Sequence, residues 1–165
     1  MTTINIKGLS ELQTFLSQLP AKIEANVIRG ALRAGAKPIR DAAKSAAPTG
    51  EPSETNKQRY RLYQGALRDS IRISGRIDRR DGKITASIKA GGKNKNGADV
   101  FYVNFIEYGT KPHGNHPGIQ PRPFLRPAMD AQAGAAVVAV GEYIKKRLAT
   151  KHGLDTAEIV IEVDE

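Results

Sequence analysis

The chain has 165 residues, no cysteine and a formal net charge of +9 at pH 7. This length suits one domain whose core needs no disulfide or metal, and the absence of cysteine excludes disulfides, thiol catalysis and cysteine-based metal sites. No segment approaches the ~20 apolar residues that a membrane span requires, and the first residues lack a signal-peptide pattern, so we expect a protein that is made, and at first kept, in the cytoplasm.

The basic residues occur in groups along the chain. One group recurs at spacings of three and four, which places its members on one side of a helix: Arg29, Arg33, Lys37, Arg40 and Lys44. A second group lies at the tip of a predicted hairpin: Arg76, Arg79, Arg80 and Lys83. Such groups are either solvated faces or a surface that docks onto an acidic partner, and the sequence leaves both interpretations open.

The N-terminal quarter of the chain is predicted to be mainly helical. Residues 4–6 alternate between apolar and polar and predict a short strand, and a helix follows, with Ser10 as its N-cap. Residues 21–47 predict a long helix with an apolar stripe, in which small residues such as Gly35 allow another element to approach closely. Pro38 lies inside this helix and predicts a kink or a break into two helices.

The middle of the chain alternates between loops and a hairpin. Residues 47–59 are polar and rich in Pro and Gly, which predicts a mobile loop. Residues 65–90 predict a β-hairpin, because two alternating arms flank Asp81 and Gly82, a pair suited to a tight turn. Residues 91–99 predict another flexible loop.

The C-terminal part contains a predicted buried strand, a long loop and a helix. Residues 100–108 have apolar residues on both faces of a strand, which predicts a central, buried strand. Residues 109–123 form a loop rich in Gly, Pro and His. Pro127 suits the first position of a helix, and residues 128–149 then predict the last helix.

This order of elements predicts an α+β fold. We expect an antiparallel sheet of about four strands, with a long kinked N-terminal helix and a C-terminal helix packed on one face. Residues 1–153 are predicted to form a single domain, and residues 154–165 an acidic C-terminal tail.

The sequence contains no recognisable catalytic site, which predicts that the protein is not an enzyme. His113 and His116 have a spacing that invites a metal interpretation, but no carboxylate with ligand spacing accompanies them, so we expect exposed loop histidines. Glu107 is the carboxylate of most interest, and an ion pair to Arg122 or Arg126 is its simpler interpretation.

Three elements, taken in order, carry a resemblance to a known family. They are Ile4-Asn5-Ile6-Lys7-Gly8-Leu9; then Ala47-Pro48-Thr49-Gly50 with Leu67-Arg68-Asp69-Ser70-Ile71; and finally Phe105-Ile106-Glu107-Tyr108-Gly109-Thr110 with Pro121-Arg122-Pro123-Phe124-Leu125-Arg126-Pro127-Ala128. Together they resemble the minor neck or tail-component (tail completion) proteins of long-tailed bacteriophages, from the N-terminus to about Leu148. Residues 51–64 are an insertion relative to that pattern.

The resemblance implies a structural virion protein at the head–tail junction, assembled in the host bacterial cytoplasm. It implies no catalytic residue, metal or cofactor. The expected partners are further copies of the chain, in a homo-oligomeric ring for which six subunits is one candidate, and the neck, tail-terminator or tail-tube proteins of the phage. Non-specific contact with DNA is also expected. No contact with a membrane is expected. The alternative that the charge supports is a basic nucleic-acid-binding protein.

The loop from Gly109 to Pro127 is the predicted contact region. Gly109 can adopt a positive φ and turn the chain, the prolines stiffen the loop, and Arg126 can pair with Glu107 or reach a neighbouring subunit. Folding and subunit contact both remain open as roles for this loop. The candidate interaction residues are Glu107, Tyr108, Gly109, Arg122, Phe124, Leu125, Arg126, Arg79 and Arg80.

Overall fold

The computed structural model describes residues 5–6, 13–14, 16–17, 21–77, 83–152 and 163–164. The elements in these ranges, in chain order, are β1 (Asn5–Ile6), α1 (Ala21–Ala46), α2 (Glu54–Tyr60), α3 (Ala66–Ser70), β2 (Arg72–Ile77), β3 (Ile84–Lys89), β4 (Gly92–Lys93), β5 (Asp99–Val100), α4 (Val103–Tyr108), α5 (Leu125–His152) and β6 (Val163–Asp164). Residues 13–14 and 16–17 are also helical, as predicted, whereas Ser10 lies outside the described residues. The α+β class is therefore confirmed.

The strands of the described ranges pair two by two: β1 with β6, β2 with β3, and β4 with β5. β1 and β6 are antiparallel, with Asn5 opposite Asp164, and so are β4 and β5, with Gly92 opposite Val100. The strands expected in one sheet are thus divided among two-stranded sheets. β2 and β3 are the arms of the predicted hairpin, and its Asp81-Gly82 turn lies outside the described residues.

The chain divides into two compact units. Unit 1 comprises residues 1–39, 73–87 and 132–165, and unit 2 comprises residues 40–72 and 88–131. The predicted domain end at residue 153 falls outside the described residues and stays a prediction.

The core of unit 1 is formed by the two long helices. Val27 and Ala31 of α1 are buried together with Ile144 and Leu148 of α5. Gly35 brings the two backbones close, because a Cβ atom added there would lie 2.7 Å from the carbonyl oxygen of Ala136. The predicted close approach at the small residues of α1 is therefore confirmed at this position.

Pro38 does not break α1, which runs as one helix from Ala21 to Ala46. The alternative of two separate helices is wrong. A proline inside a helix removes one backbone hydrogen bond, but buried residues on both sides of it, among them Ala36 and Ala43, hold the helix in place by packing.

The core of unit 2 lies around Phe124. Its buried members include Leu67, Ile71, Val100 and Val103. Ser70 is buried among them, and its hydroxyl donates to the carbonyl of Leu67 (2.7 Å) and accepts from the backbone N–H of Gly91 (2.9 Å). This hydroxyl satisfies two backbone groups that would otherwise be buried without partners.

Two segments predicted as loops are ordered elements of unit 2. Residues 54–60 form α2, where the Ser53 hydroxyl accepts from the N–H of Asn56 (3.4 Å), as an N-cap does. Residues 92–100 form the β4–β5 hairpin, whose turn is held by Asn94: its side-chain oxygen accepts from the N–H groups of Asn96 and Ala98, both at 3.0 Å. The prediction of loops failed here because side-chain caps give polar segments a regular structure.

The predicted buried strand over residues 100–108 is wrong. Only Asp99–Val100 is extended, and Val103–Tyr108 is helix α4. Val103 and Glu107 of α4 are buried, at the spacing of four that places helical residues on one face. Because nearly every residue in this run is apolar, alternation and helical spacing both fitted it, and the structure follows the helical spacing.

The last helix is longer than predicted at both ends, since α5 runs from Leu125 to His152. Pro127 is therefore the third helical residue and not the first. It is tolerated there because the first four N–H groups of a helix have no intrahelical acceptor.

Candidate docking surface around residues 101–129

The loop from Gly109 to Pro127 is held by backbone hydrogen bonds at its base and near its tip. Thr110 and Ile119 exchange two such bonds of 2.9 and 3.1 Å, and His113 and His116 exchange two of 3.0 Å. Gly109 has φ of 71°, and a Cβ atom there would lie 2.6 Å from the Ile119 carbonyl oxygen. The predicted positive φ of Gly109 is confirmed, and the close approach explains why no larger residue fits.

Glu107 connects helix α4 to the start of helix α5. Its Oε2 accepts from the backbone N–H groups of Phe124 (2.9 Å) and Leu125 (3.1 Å), and its Oε1 accepts from that of Arg126 (3.2 Å). These N–H groups stand at the N-terminus of α5, where the helix has no acceptors of its own and its dipole favours a negative charge. Glu107 is thus an N-terminal cap supplied from another helix.

The environment of Glu107 keeps its carboxylate ionised. Burial acts to raise the pKa of this carboxyl group, but the hydrogen bonds from the backbone of Phe124, Leu125 and Arg126, together with the charge of Arg126, outweigh burial and hold the pKa below its usual value. A carboxylate that is ionised and saturated with fixed donors is poorly suited to give or take a proton.

Arg126 contacts both Glu107 and Tyr108. Its Nε lies 3.8 Å from Glu107 Oε1, and its guanidinium lies 4.6 Å from the centre of the Tyr108 ring. Of the two predicted ion-pair partners of Glu107, Arg126 is thus the one observed. Arg122 instead uses its backbone N–H, which donates to the carbonyl of Ile106 (2.7 Å), and its side chain is exposed.

The other predicted contact residues differ in exposure. Phe124 is 1% exposed and belongs to the core of unit 2, and Leu125 is half-buried against that core. Phe124 is therefore a core residue of unit 2, and the role of Leu125 in contacts with a partner stays a prediction. Arg79 and Arg80 lie outside the described residues.

Large apolar side chains are exposed around this loop. In the part of the chain that the structure describes, all of the exposed large hydrophobic residues lie between positions 101 and 129: Phe101, Phe105, Tyr108, Ile119 and Met129. The sequence analysis named Tyr108 among these residues. It missed Phe101 and Phe105 because it placed residues 100–108 in a buried strand, and it did not single out Ile119 or Met129. Their spacing carried the signal, since Phe101, Phe105 and Tyr108 recur every three or four residues, as one face of a helix does.

A cavity of about 480 Å³ lies beside this surface. Its lining consists of Glu107, Tyr108, Pro121, Pro123, Arg126, Pro127 and Asp130. The prolines and Tyr108 supply apolar walls, and Arg126 and Asp130 supply charge of both signs.

The predicted histidines are exposed loop residues. His113 and His116 face each other through backbone bonds, and within the described ranges no group of three or more His, Cys, Asp or Glu side chains could hold a metal. In the same ranges no helix is both long enough and apolar enough to cross a bilayer.

Comparison with known proteins identifies the family. A family model described as "Bacteriophage HK97-gp10, putative tail-component" matches residues 10–109, which is more than half of the chain. No curated protein and no solved structure gives a significant match. The matched region ends at Gly109, so the Pro121–Ala128 part of the motif noted in the sequence lies beyond it. The chain belongs to the HK97-gp10-like family of bacteriophage tail components.

Proposed function

We propose that this protein is a structural assembly protein at the head–tail junction of a long-tailed phage, where it completes the neck or tail. It acts by self-association and by docking to neighbouring neck and tail proteins, and it catalyses no reaction. The observation that carries this proposal is the apolar surface of unit 2, formed by Phe101, Phe105, Tyr108, Ile119 and Met129, which we call the docking surface.

The composition of the docking surface favours a protein partner. Met129 and Tyr108 are 61% and 63% exposed, and large exposed apolar side chains that are grouped on a domain are typical of interaction sites. Aromatic residues, Met and Arg are also the types enriched at protein interfaces. The guanidinium of Arg126, stacked on the Tyr108 ring, places a positive charge beside the apolar residues.

The surroundings of the docking surface favour binding without large rearrangement. Tyr108 ends a helix whose following glycine is fixed by backbone contacts, and the Arg126 backbone is held by Glu107. Side chains that are already positioned lose less entropy on binding, which raises affinity for a given area.

Light scattering on the purified chain, alone and mixed with the major tail-tube protein of the same phage, tests this role. We expect an oligomer or a mixed complex for the wild type, and loss of association in a Phe105→Ser, Met129→Ser double variant whose melting temperature is unchanged. Asn104→Ser, an exposed polar change on the same helix as Phe105, is the control and should associate normally. A wild-type chain that stays monomeric in both samples, or a double variant that associates fully, would contradict the proposal.

A further inference from the structure

Unit 1 contains a cavity of about 580 Å³ whose charged lining residues are all arginines. Arg29 and Arg33 of α1 reach it from one side, and Arg147 of α5 from another. Asn26 of α1 and Tyr143 of α5, which lies one helical turn before Arg147, are the uncharged polar residues of the lining. No carboxylate lines this cavity in the part of the chain that the structure describes, so we call it the arginine pocket.

Two glycines shape the arginine pocket. Gly30 lies directly beneath the Tyr143 ring, where an added Cβ would collide with the phenol, so the absence of a side chain seats Tyr143 against α1. Gly75 of β2 lies along the stems of Arg29 and Arg33, with its Cβ position 3.9 Å from both Cγ atoms.

The arginines are available to an external anion. All three are exposed, and within the described residues none of them forms an ion pair with a carboxylate, in contrast to Arg40, Arg68 and Arg126. Arg29 makes one weak hydrogen bond of 3.3 Å to the side-chain oxygen of Asn26. Three like charges around one cavity repel one another, and a bound anion relieves that repulsion.

We propose that the arginine pocket binds phosphate groups of a nucleic-acid backbone. Guanidinium groups bind phosphate in a fork geometry, and donors that arrive from two helices match the tetrahedral oxygens of phosphate better than the two coplanar oxygens of one carboxylate. The cavity is large enough for a phosphate with its sugar.

This inference is independent of the docking surface, which lies in unit 2. A chain that binds no DNA leaves the proposed docking function untouched, and a chain that binds DNA does not establish it. The contacts are to the backbone alone, so binding should not depend on base sequence.

Fluorescence anisotropy with a labelled double-stranded oligonucleotide, over a range of salt concentrations, tests the proposal. Three phosphate contacts predict a slope of log K against log salt of about −2.7. A triple variant, Arg29→Gln, Arg33→Gln and Arg147→Gln, should bind about tenfold or more weakly and lose most of that slope. The control is Lys93→Gln, Lys95→Gln and Lys111→Gln, which removes the same charge from exposed positions of unit 2 and should retain the slope.

Two further measurements separate the pocket from a generic positive surface. Tyr143→Phe should weaken binding by about two- to tenfold through loss of one hydrogen bond, with the slope unchanged because no charge is removed. A polyglutamate peptide of matched charge should compete poorly. Equal losses in the two triple variants, or tighter binding of the peptide than of DNA to folded protein, would overturn the proposal; the second result would assign the pocket to an acidic protein partner.

Discussion

Replacing Glu107 tests how the loop and the last helix are held together. The wild-type carboxylate accepts three backbone hydrogen bonds from Phe124, Leu125 and Arg126 while it is itself buried. Glu107→Ala removes both acceptor oxygens and with them all three hydrogen bonds. Glu107→Gln keeps the shape and one oxygen, but directs an NH₂ group toward backbone donors and removes the negative charge at the helix N-terminus.

The magnitude follows from these contacts. Loss of an N-terminal cap costs about 0.5–2 kcal/mol, and leaving the buried N–H of Phe124 without an acceptor costs about 1–3 kcal/mol more. We therefore expect Glu107→Ala to lower the free energy of unfolding by about 2–5 kcal/mol. In a chain of this size that corresponds to a fall in melting temperature of about 4–20 °C. Glu107→Gln should cost about 1–3 kcal/mol.

The pH dependence has a definite sign. Because the folded-state pKa of Glu107 lies below its usual value of 4.5, the wild type gains stability from this group above that pH and loses it as pH falls through the lowered pKa. Glu107→Gln cannot titrate. The difference in free energy of unfolding between the wild type and Glu107→Gln should therefore be largest at neutral pH, and it should decrease below about pH 4.5.

Thermal and denaturant unfolding, followed by circular dichroism at neutral and acidic pH, measures both effects. Glu142→Gln is the matched control, an exposed glutamate in the same helix α5, and should change the free energy of unfolding by no more than about 0.5 kcal/mol. If Glu107→Gln melts with the wild type at neutral pH, or if the difference between them persists unchanged in acid, the capping role of Glu107 is refuted.

Two further substitutions test the two cores. Phe124→Ala should destabilise the chain by about 3–5 kcal/mol, the usual range for a buried aromatic residue, and a melting temperature near that of the wild type would contradict its burial in unit 2. Gly35→Ala should destabilise the chain by about 1–3 kcal/mol through overpacking, because the new Cβ would lie 2.5 Å from Val140 Cγ2. Gly50→Ala is the neutral control, because the space around Gly50 is open. A Gly35→Ala variant that is more stable than the wild type would refute the close approach of the helices.

The long helices and the β2–β3 hairpin were predictable from the sequence because their signals are local. The apolar stripe of α1 and the alternating arms on either side of Asp81-Gly82 each reflect the periodicity of one element. The helix α4 was not predictable with the same rules. In residues 100–108 apolar side chains are too dense to separate a period of two from one of three to four, and only the tertiary burial of Val103 and Glu107 decides between them.

The location of the candidate site could be predicted from the sequence, but the side-chain contacts that form it could not. The Gly and Pro residues of the 109–127 loop indicated where the site lies, and the positive φ of Gly109 was predictable because glycine readily adopts such an angle. The capping role of Glu107 joins residues seventeen or more positions apart, and the arginine pocket joins α1, β2 and α5. Contacts of this kind depend on tertiary folding. No local sequence pattern therefore predicts that Arg147 and Arg29 line the same cavity.

Electron microscopy of the particles made by a phage that lacks this protein tests the central claim most directly. We predict separate heads and tails, or incomplete tails, with infectivity restored by the wild-type chain in trans but not by the Phe105→Ser, Met129→Ser variant. Complete, infectious, tailed particles in the absence of the protein would contradict its role as a structural component of the head–tail junction.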